Sequence, residues 1–306
     1  MATIGHSAEP TPSAAALGRA RNRAALLPDL LVEARRVVST VIAGWHGRRR
    51  RGTGENFWQF RPFVEGEAVS RIDWRRSARD DNLYIRDREW EAAQTVWLWA
   101  DPSPSMLFRS NAAEVSKESR ALVLVLALAE LLSRSGERIG YPGVMEPVAA
   151  RNAAERIAAA LANRRPDGFP PDDRLKRFSE VVIVSDLLDP VEETLARIDR
   201  IGRRGIRGHV VAVADPAEES FPYSGRTEFR DPETGAKLTA GRAETLREDY
   251  RNLYAATRET IAEHCRRLGW SFVPHRTDRL ASEALVAVHG RLSGIPQAVA
   301  GKRRDA

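Results

Sequence analysis

Three short apolar runs, each ending at an aspartate, constrain the fold of this chain most strongly. TVWLWA precedes Asp101, VVIVS precedes Asp186 and HVVAVA precedes Asp215. Runs of this length that are rich in β-branched and aromatic residues are typical of buried strands. Segments with helical periodicity separate the runs, so the pattern predicts a mostly parallel sheet with helices on both faces.

The stretch before this α/β region divides into segments of different character. Residues 1–20 are small, polar and Pro-containing, so we expect them to be disordered. Apolar residues at helical spacing from Leu27 to Ile42 predict an N-terminal helix, with Pro28 in its first turn. The predicted organisation is residues 1–51 as a disordered start, helix and basic linker, residues 52–93 as a small β-rich region, residues 94–292 as the α/β domain, and residues 293–306 as a basic flexible tail.

The composition excludes several classes of protein. The longest apolar run, from Ala121 to Leu132, is shorter than the roughly 20 residues that cross a bilayer, so no membrane span is predicted. The N-terminus lacks the basic and apolar blocks of a signal peptide. Cys265 is the only cysteine, which excludes an internal disulfide and suits a reducing compartment. We therefore expect a cytoplasmic protein of a bacterium-like cell.

The positive charge does not indicate a nucleic-acid partner. The net charge is +6, and arginine supplies nearly all of the cations. The densest block, Gly47 to Gly52, lacks the aromatic series on which single-stranded nucleic acids stack. Codon bias explains the arginine content more simply, so we expect no nucleic-acid binding.

Polar residues follow the first apolar run at alternate positions, in the sequence DPSPS. The carboxyl ends of parallel strands form one crevice, where α/β proteins bind ligands. Asp101, Ser103 and Ser105, joined there by Asp186, would present oxygen atoms, which Mg²⁺ prefers. The alternative is an ordinary turn in which Asp and Ser bond to the nearby backbone.

The segment before the first run is dense in aromatic and charged residues, and a set of its positions forms a recognisable signature: Arg61, Gly66, Arg71, Ile72, Asp73, Trp74, Ser77, Ala78 and Arg79. This set resembles the signature of domain-of-unknown-function family 58. The resemblance implies a von Willebrand factor type A-like, Rossmann-like fold whose adhesion-type metal site would use Asp101, Ser103, Ser105 and Asp186. It implies Mg²⁺, with Mn²⁺ as a substitute, and a MoxR-type AAA+ ATPase and a client protein as partners.

One feature of that metal site is missing. Adhesion-type sites add a threonine from a loop between the first strand and the later aspartate, but no threonine occurs between Met106 and Ser185. The site can therefore be incomplete, and the chain a scaffold with a decayed metal site. Pro102 and Pro104 stiffen the loop and either preorganise it for binding or hold it in another shape.

The block RIDWRRSAR supports two interpretations. Arg71, Arg75, Arg76 and Arg79, near Asp73, could bind an acidic partner surface or a phosphate, since Arg is well suited to carboxylates. The alternative, which we favour, is an internal Arg–Asp network that locks the small β-rich region onto the main domain, with Trp74 as a packing anchor.

Three functions remain open at this point. We expect a non-enzymatic protein-interaction module with a possible Mg²⁺ site. The first alternative is a Mg²⁺-dependent phosphatase-like hydrolase in which Asp101 attacks phosphorus, although Ser103 stands where such enzymes carry a second acid. The second alternative is the scaffold with a decayed site.

Overall fold

The computed structural model describes residues 12–46, 59–64, 69–79, 82–87, 93–163, 168–170 and 172–293. Residue contacts divide the chain into two units, residues 1–43 with 94–306, and residues 44–93. The basic linker from Gly47 to Gly52 and nearly all of the expected basic tail lie outside the described residues.

The larger unit contains a central six-stranded sheet and one small hairpin. The sheet strands are β3 (Thr95–Ala100), β4 (Arg138–Tyr141), β5 (Met145–Val148), β6 (Glu180–Ser185), β7 (Arg207–Ala214) and β10 (Ser271–Arg276), and the hairpin strands are β8 (Thr227–Arg230) and β9 (Lys237–Ala240). The helices are α1 (Pro12–His46), α3 (Lys117–Arg134), α4 (Ala153–Asn163), α5 (Val191–Gly202), α6 (Pro216–Ser220), α7 (Arg247–Arg267) and α8 (Ala281–Leu292).

The sheet has the order β10-β7-β6-β3-β4-β5. All neighbouring strands are parallel except the edge pair β4 and β5. The chain leaves β3 towards β4 but leaves β6 towards β7, in the opposite direction. Right-handed crossovers then place α3 and α5 on opposite faces of the sheet. The predicted mostly parallel α/β sheet with helices on both faces is confirmed.

The helix α3 is the buried centre of one face. Every residue from Ala121 to Leu132 is buried, as the long apolar run predicts. The helix packs against β3, and α4 and α8 pack against it. Among the residues that the structure describes, no helix combines the length and apolarity that a membrane crossing requires.

The N-terminal helix differs from the prediction at its start. It begins at Pro12, so residues 12–20 are helical where we expected disorder. Ala14, Ala15 and Ala16 are strong helix formers, which explains the extension. Pro28 lies inside α1 rather than in its first turn, and the burial of Leu27 and Leu30 beside it offsets the proline's cost.

The edge strand β5 was not predicted. The segment after β4 contains only the turn Pro142–Gly143, and Gly143 has a φ of 74°, which favours glycine. This turn reverses the chain and pairs Tyr141 with Met145. The residues from Glu137 to Val144 show only one weak strand pattern in the sequence, and this pattern gives no sign of the second strand of the hairpin.

The smaller unit is a β-hairpin with one helical turn. Strands β1 (Gln59–Pro62) and β2 (Tyr84–Asp87) are antiparallel, and α2 (Trp74–Ser77) lies between them in sequence. The hydroxyl of Ser77 accepts a hydrogen bond from the Tyr84 amide at 2.9 Å, which fixes α2 to β2. Short strands were predicted in this region.

Candidate functional site at the carboxyl edge of the sheet

The three aspartates lie at the same edge of the sheet because β3, β6 and β7 are parallel neighbours. Asp101 follows β3, and its amide donates to the Val184 carbonyl at 2.9 Å, which continues the ladder by one residue. Asp186 and Asp215 follow β6 and β7 directly. The sequence predicted this convergence correctly.

Among the residues that the structure describes, the hydrogen-bond donors to the Asp101 carboxylate are neutral. Its Oδ1 accepts from the Ser103 amide at 2.8 Å, and its Oδ2 accepts from the Ser185 hydroxyl at 2.6 Å. Burial raises the pKa of Asp101; the hydrogen bond from Ser185 opposes this shift, and the negative charge of Asp186 adds to it. A buried carboxylate without a direct cationic partner is less stable in its charged form.

The two serines of the DPSPS loop lie together at the start of a 3₁₀ turn, Pro104–Leu107. Their hydroxyl oxygens are 3.1 Å apart, so one hydroxyl donates to the other. The Ser105 amide donates at 3.0 Å to Oε1 of Glu233, which belongs to the turn between β8 and β9. The hairpin of β8 and β9 therefore places a carboxylate directly against the loop.

Asp186 is paired with a buried lysine that the sequence analysis missed. Lys117 is 0% exposed, and its ammonium donates to Oδ2 of Asp186 at 2.8 Å. The same ammonium donates to Oε1 of Glu218 in α6. The other oxygen of Asp186 accepts from the Leu188 amide at 3.3 Å. One buried cation thus joins α3, the end of β6 and α6.

Asp215 has a structural role at this edge. Its Oδ1 accepts from the Ala217 amide at 2.8 Å and caps α6, and its Oδ2 accepts from the Ser110 amide at 2.8 Å. Glu218 completes the capping box by accepting from the Asp215 amide. The Asp215 carboxylate therefore holds the loop after the 3₁₀ turn against α6.

The four predicted ligands lie along one edge, but their arrangement does not fit a divalent cation. The ammonium of Lys117 stands at Asp186, where a metal would bind, and both oxygens of Asp101 already accept hydrogen bonds. Across the described ranges, no group of three or more His, Cys, Asp or Glu side chains could hold a metal ion. Ligation of Mg²⁺ or Mn²⁺ by Asp101, Ser103, Ser105 and Asp186 stays a prediction.

Two open pockets adjoin Glu233 at this edge. One, of about 380 Å³, is lined by Trp99, Asp101, Ser103, Phe169 and Arg197 among others. The other, of about 300 Å³, is lined by Ser105, Leu188, Tyr223, Phe229 and Arg230 among others. Aromatic rings beside a few polar groups are typical of binding sites.

The RIDWRRSAR block lies in the smaller unit. Oδ1 of Asp73 accepts from the Arg76 amide at 3.0 Å and caps α2. Arg75 and Arg79 are exposed, and the side chain of Arg71 lies outside what the structure describes. Trp74 is 59% exposed, so the expectation that it is a buried packing anchor is wrong.

Lys117 and Glu233 carry the contacts that the sequence analysis did not find. One signal was available for Lys117, because the chain has only four lysines among its many arginines. An arginine has a planar, forked head, whereas lysine offers a compact charge that fits between two carboxylates. For Glu233, the Asp-Pro-Glu-Thr-Gly turn indicated a hairpin but not what its tip contacts.

Comparison with known proteins identifies a family but no activity. The model of a family described as "Protein of unknown function DUF58" matches residues 59–260. Uncharacterized proteins of Mycobacterium bovis and Mycobacterium tuberculosis are each 26% identical to this chain over 301 residues, which covers 92% of this chain and 90% of the relative.

Two solved structures show a distant likeness. The conserved hypothetical protein BatB from Bacteroides thetaiotaomicron is 15% identical, with a TM-score of 0.40, over 66% of this chain and 98% of that chain. An aerotolerance-related membrane protein from Bacteroides fragilis is 15% identical, with a TM-score of 0.39, over 66% of this chain and 100% of that chain. Likenesses this distant indicate nothing about function.

Proposed function

We propose that this chain, which belongs to the DUF58 family of proteins of unknown function, is a non-enzymatic protein-interaction module. In this proposal a partner protein binds at the carboxyl edge of the central sheet. The module acts in the cytoplasm with a MoxR-type AAA+ ATPase to remodel or mature a client protein. The ATPase partner is inferred from the family resemblance. The likeness to von Willebrand factor type A domains is inferred from the same resemblance.

The contact between Glu233 and the Ser105 amide carries this proposal. A carboxylate from a surface hairpin reaches the DPSPS loop at 3.0 Å and is not buried in the core. The pockets beside it leave room for a larger ligand. An acidic side chain of a partner could take the place of Glu233 on this amide, while apolar partner residues contact Leu188 and Phe229.

The geometry supports binding better than hydrolysis. A nucleophilic aspartate needs a free oxygen and a nearby positive charge to receive a phosphate. Each oxygen of Asp101 already accepts a hydrogen bond, and Lys117 is buried between Asp186 and Glu218. Arg197, which lines the same pocket as Asp101, is paired with Asp189 and Glu193. The hydrolase stays an alternative prediction, and phosphate release from a model ester that is lost in Asp101→Asn would establish it.

The smaller unit offers a further surface for the same kind of partner. Trp74, Arg75 and Arg79 are exposed there. Trp and Arg are enriched among the residues that dominate protein interfaces. We include Arg71, Arg75 and Arg79 as a candidate docking surface for acidic side chains, with Asp73, whose carboxylate caps α2, beside them.

Calorimetry with a purified MoxR-type ATPase from the same genome tests the proposal. Leu188→Asp places a charge in the pocket beside Ser105, and we expect it to weaken binding at least tenfold. Leu253→Asp is the matched control, because Leu253 is also exposed but lies on α7. Absence of binding by the wild type, or equal losses in both variants, would overturn the proposal.

A further inference from the structure

We infer that Lys117 supplies, from within the chain, the positive charge that the carboxyl edge of the sheet requires. The edge then works without a divalent cation. This edge is also the proposed docking site. If a partner binds there, it binds without a metal, and this part of the inference rests on the proposed function. The inference that Lys117 replaces a metal stands on the ion pairs alone.

The contacts of the ammonium are those of a bound cation. Its Nζ donates to Asp186 and Glu218, and the side chains of these acids are 3% and 11% exposed. The Lys117 side chain itself is 0% exposed, so both pairs are screened much less than pairs at the surface. The ring of Phe108, with its centre 5.7 Å from Nζ, covers the cation on another side.

Local sequence places the lysine at this point. Ser116 caps α3 by accepting a hydrogen bond from the Ser119 amide, so Lys117 is the first residue of the helix. The helix begins under the carboxyl edge because α3 follows β3 through the DPSPS loop. The long apolar stem of lysine can then be buried while its charged end reaches the two acids.

A divalent cation and Lys117 would compete for the same carboxylates. A metal bound to Asp186 would stand beside the ammonium, and two like charges in a buried site repel strongly. Each oxygen of Asp101 also already accepts one hydrogen bond, from the Ser103 amide and from the Ser185 hydroxyl, which leaves fewer lone pairs for a metal. The missing threonine between Met106 and Ser185 agrees with this, because a site with a built-in cation needs no further metal ligand.

Removing the lysine should convert the edge into a cation-dependent one. Lys117→Ala leaves Asp186 and Glu218 buried without a positive charge and opens space for an ion with its water. Mg²⁺ that binds only the folded form would then raise the melting temperature of this variant. The double variant Lys117→Ala/Asp186→Asn also removes the negative charge of Asp186, so Mg²⁺ should not raise its melting temperature.

The test is thermal unfolding of the full chain with Mg²⁺ or with a chelator, at equal ionic strength. We expect no change in the Tm of the wild type, a Tm several degrees lower for Lys117→Ala, and partial recovery with Mg²⁺ for that variant alone. Lys176→Ala is the matched control, since Lys176 is exposed, and it should behave like the wild type.

Three results would overturn the inference. The first is that Mg²⁺ raises the Tm of the wild type but not that of Asp101→Ala. The second is that Lys117→Ala has the same Tm as the wild type. The third is that Mg²⁺ does not raise the Tm of Lys117→Ala. If Lys117→Ala fails to fold, Lys117→Met with Asp186→Asn and Glu218→Gln keeps the shape without charge, and it should fold and ignore Mg²⁺. Partner binding is measured separately, so failure of the proposed docking function leaves these readouts unaffected.

Discussion

The ends of β3 and β6 are neighbours at one sheet edge, yet their aspartates are stabilised in different ways. Asp101, after β3, accepts hydrogen bonds from an amide and a hydroxyl. Asp186, after β6, accepts from the buried ammonium of Lys117. The two side chains have the same chemistry and equivalent positions in the fold. Their hydrogen-bond partners differ because different elements pack above them. An aspartate at the end of a strand therefore does not by itself indicate a metal site.

The largest effect should come from removing the cation. Lys117→Met keeps the apolar stem but leaves two buried carboxylates unpaired, which typically costs about 3–5 kcal/mol of unfolding free energy. Urea unfolding measures this loss. Lys176→Met, at an exposed position, should change the unfolding free energy by no more than about 0.5 kcal/mol. Equal effects of the two substitutions would mean that the buried ion pairs do not stabilise the fold.

A smaller loss is expected at the third strand end. Asp215→Ala removes the cap of α6 and the acceptor of the Ser110 amide, and loss of a cap typically costs about 1–2 kcal/mol. Urea unfolding again provides the measurement. Glu192→Ala, an exposed acid in the first turn of α5, is the control and should cost much less. If Asp215→Ala lost as much unfolding free energy as Lys117→Met, the end of β7 would contribute as much stability as the end of β6, which would contradict the expected order.

The pH dependence should separate Asp101 from a solvated aspartate. Because burial raises its pKa above 3.8, the folded protein binds this proton more tightly than the unfolded chain does. The resulting stability is present below pH 3.8 and is lost as pH rises through the folded pKa.

Urea unfolding of the wild type and Asp101→Asn across this pH range measures the effect. The wild type should lose stability relative to Asp101→Asn as pH rises. Asp231 offers the opposite case, because hydrogen bonds from Thr234 and Glu233 lower its pKa. The wild type should therefore gain stability relative to Asp231→Asn over the same rise in pH. A pH-independent difference for Asp101→Asn would contradict the account of that carboxylate.

The smallest effect on stability should come from the hairpin. Glu233→Gln keeps a hydrogen-bond acceptor for the Ser105 amide, so the unfolding free energy should change by less than about 0.5 kcal/mol. The substitution should tighten binding of an acidic partner, since it removes the competing charge. Calorimetry with the ATPase measures this. Weaker binding would show instead that the partner needs the Glu233 charge.

The sequence was sufficient for the sheet because strand periodicity is a local property. Residues on either side of Asp101, Asp186 and Asp215 show where each strand ends, and parallel pairing then brings the ends together. The contacts that decide the chemistry are not local. Lys117 lies 69 residues from Asp186 in sequence, and Ser105 lies 128 residues from Glu233. No pattern within one element predicts such pairs.

The errors at the N-terminal helix and at Trp74 have a related cause. The small, polar residues 1–20 suggested disorder, although alanines favour a helix and α1 includes residues 12–20. Trp74 suggested a packing anchor because large aromatic residues are usually buried to a high degree. Whether one tryptophan is buried depends on the surface that faces it, and single-sequence patterns do not contain that information.

An anomalous diffraction experiment on crystals grown with Mn²⁺ tests the central claim most directly. The account predicts no anomalous peak at the carboxyl edge of the sheet, with Nζ of Lys117 within hydrogen-bonding distance of both Asp186 and Glu218. A manganese peak bounded by Asp101, Ser103 and Ser105, with the lysine displaced from Asp186, would contradict it. The edge would then be a metal site, as the sequence pattern suggested.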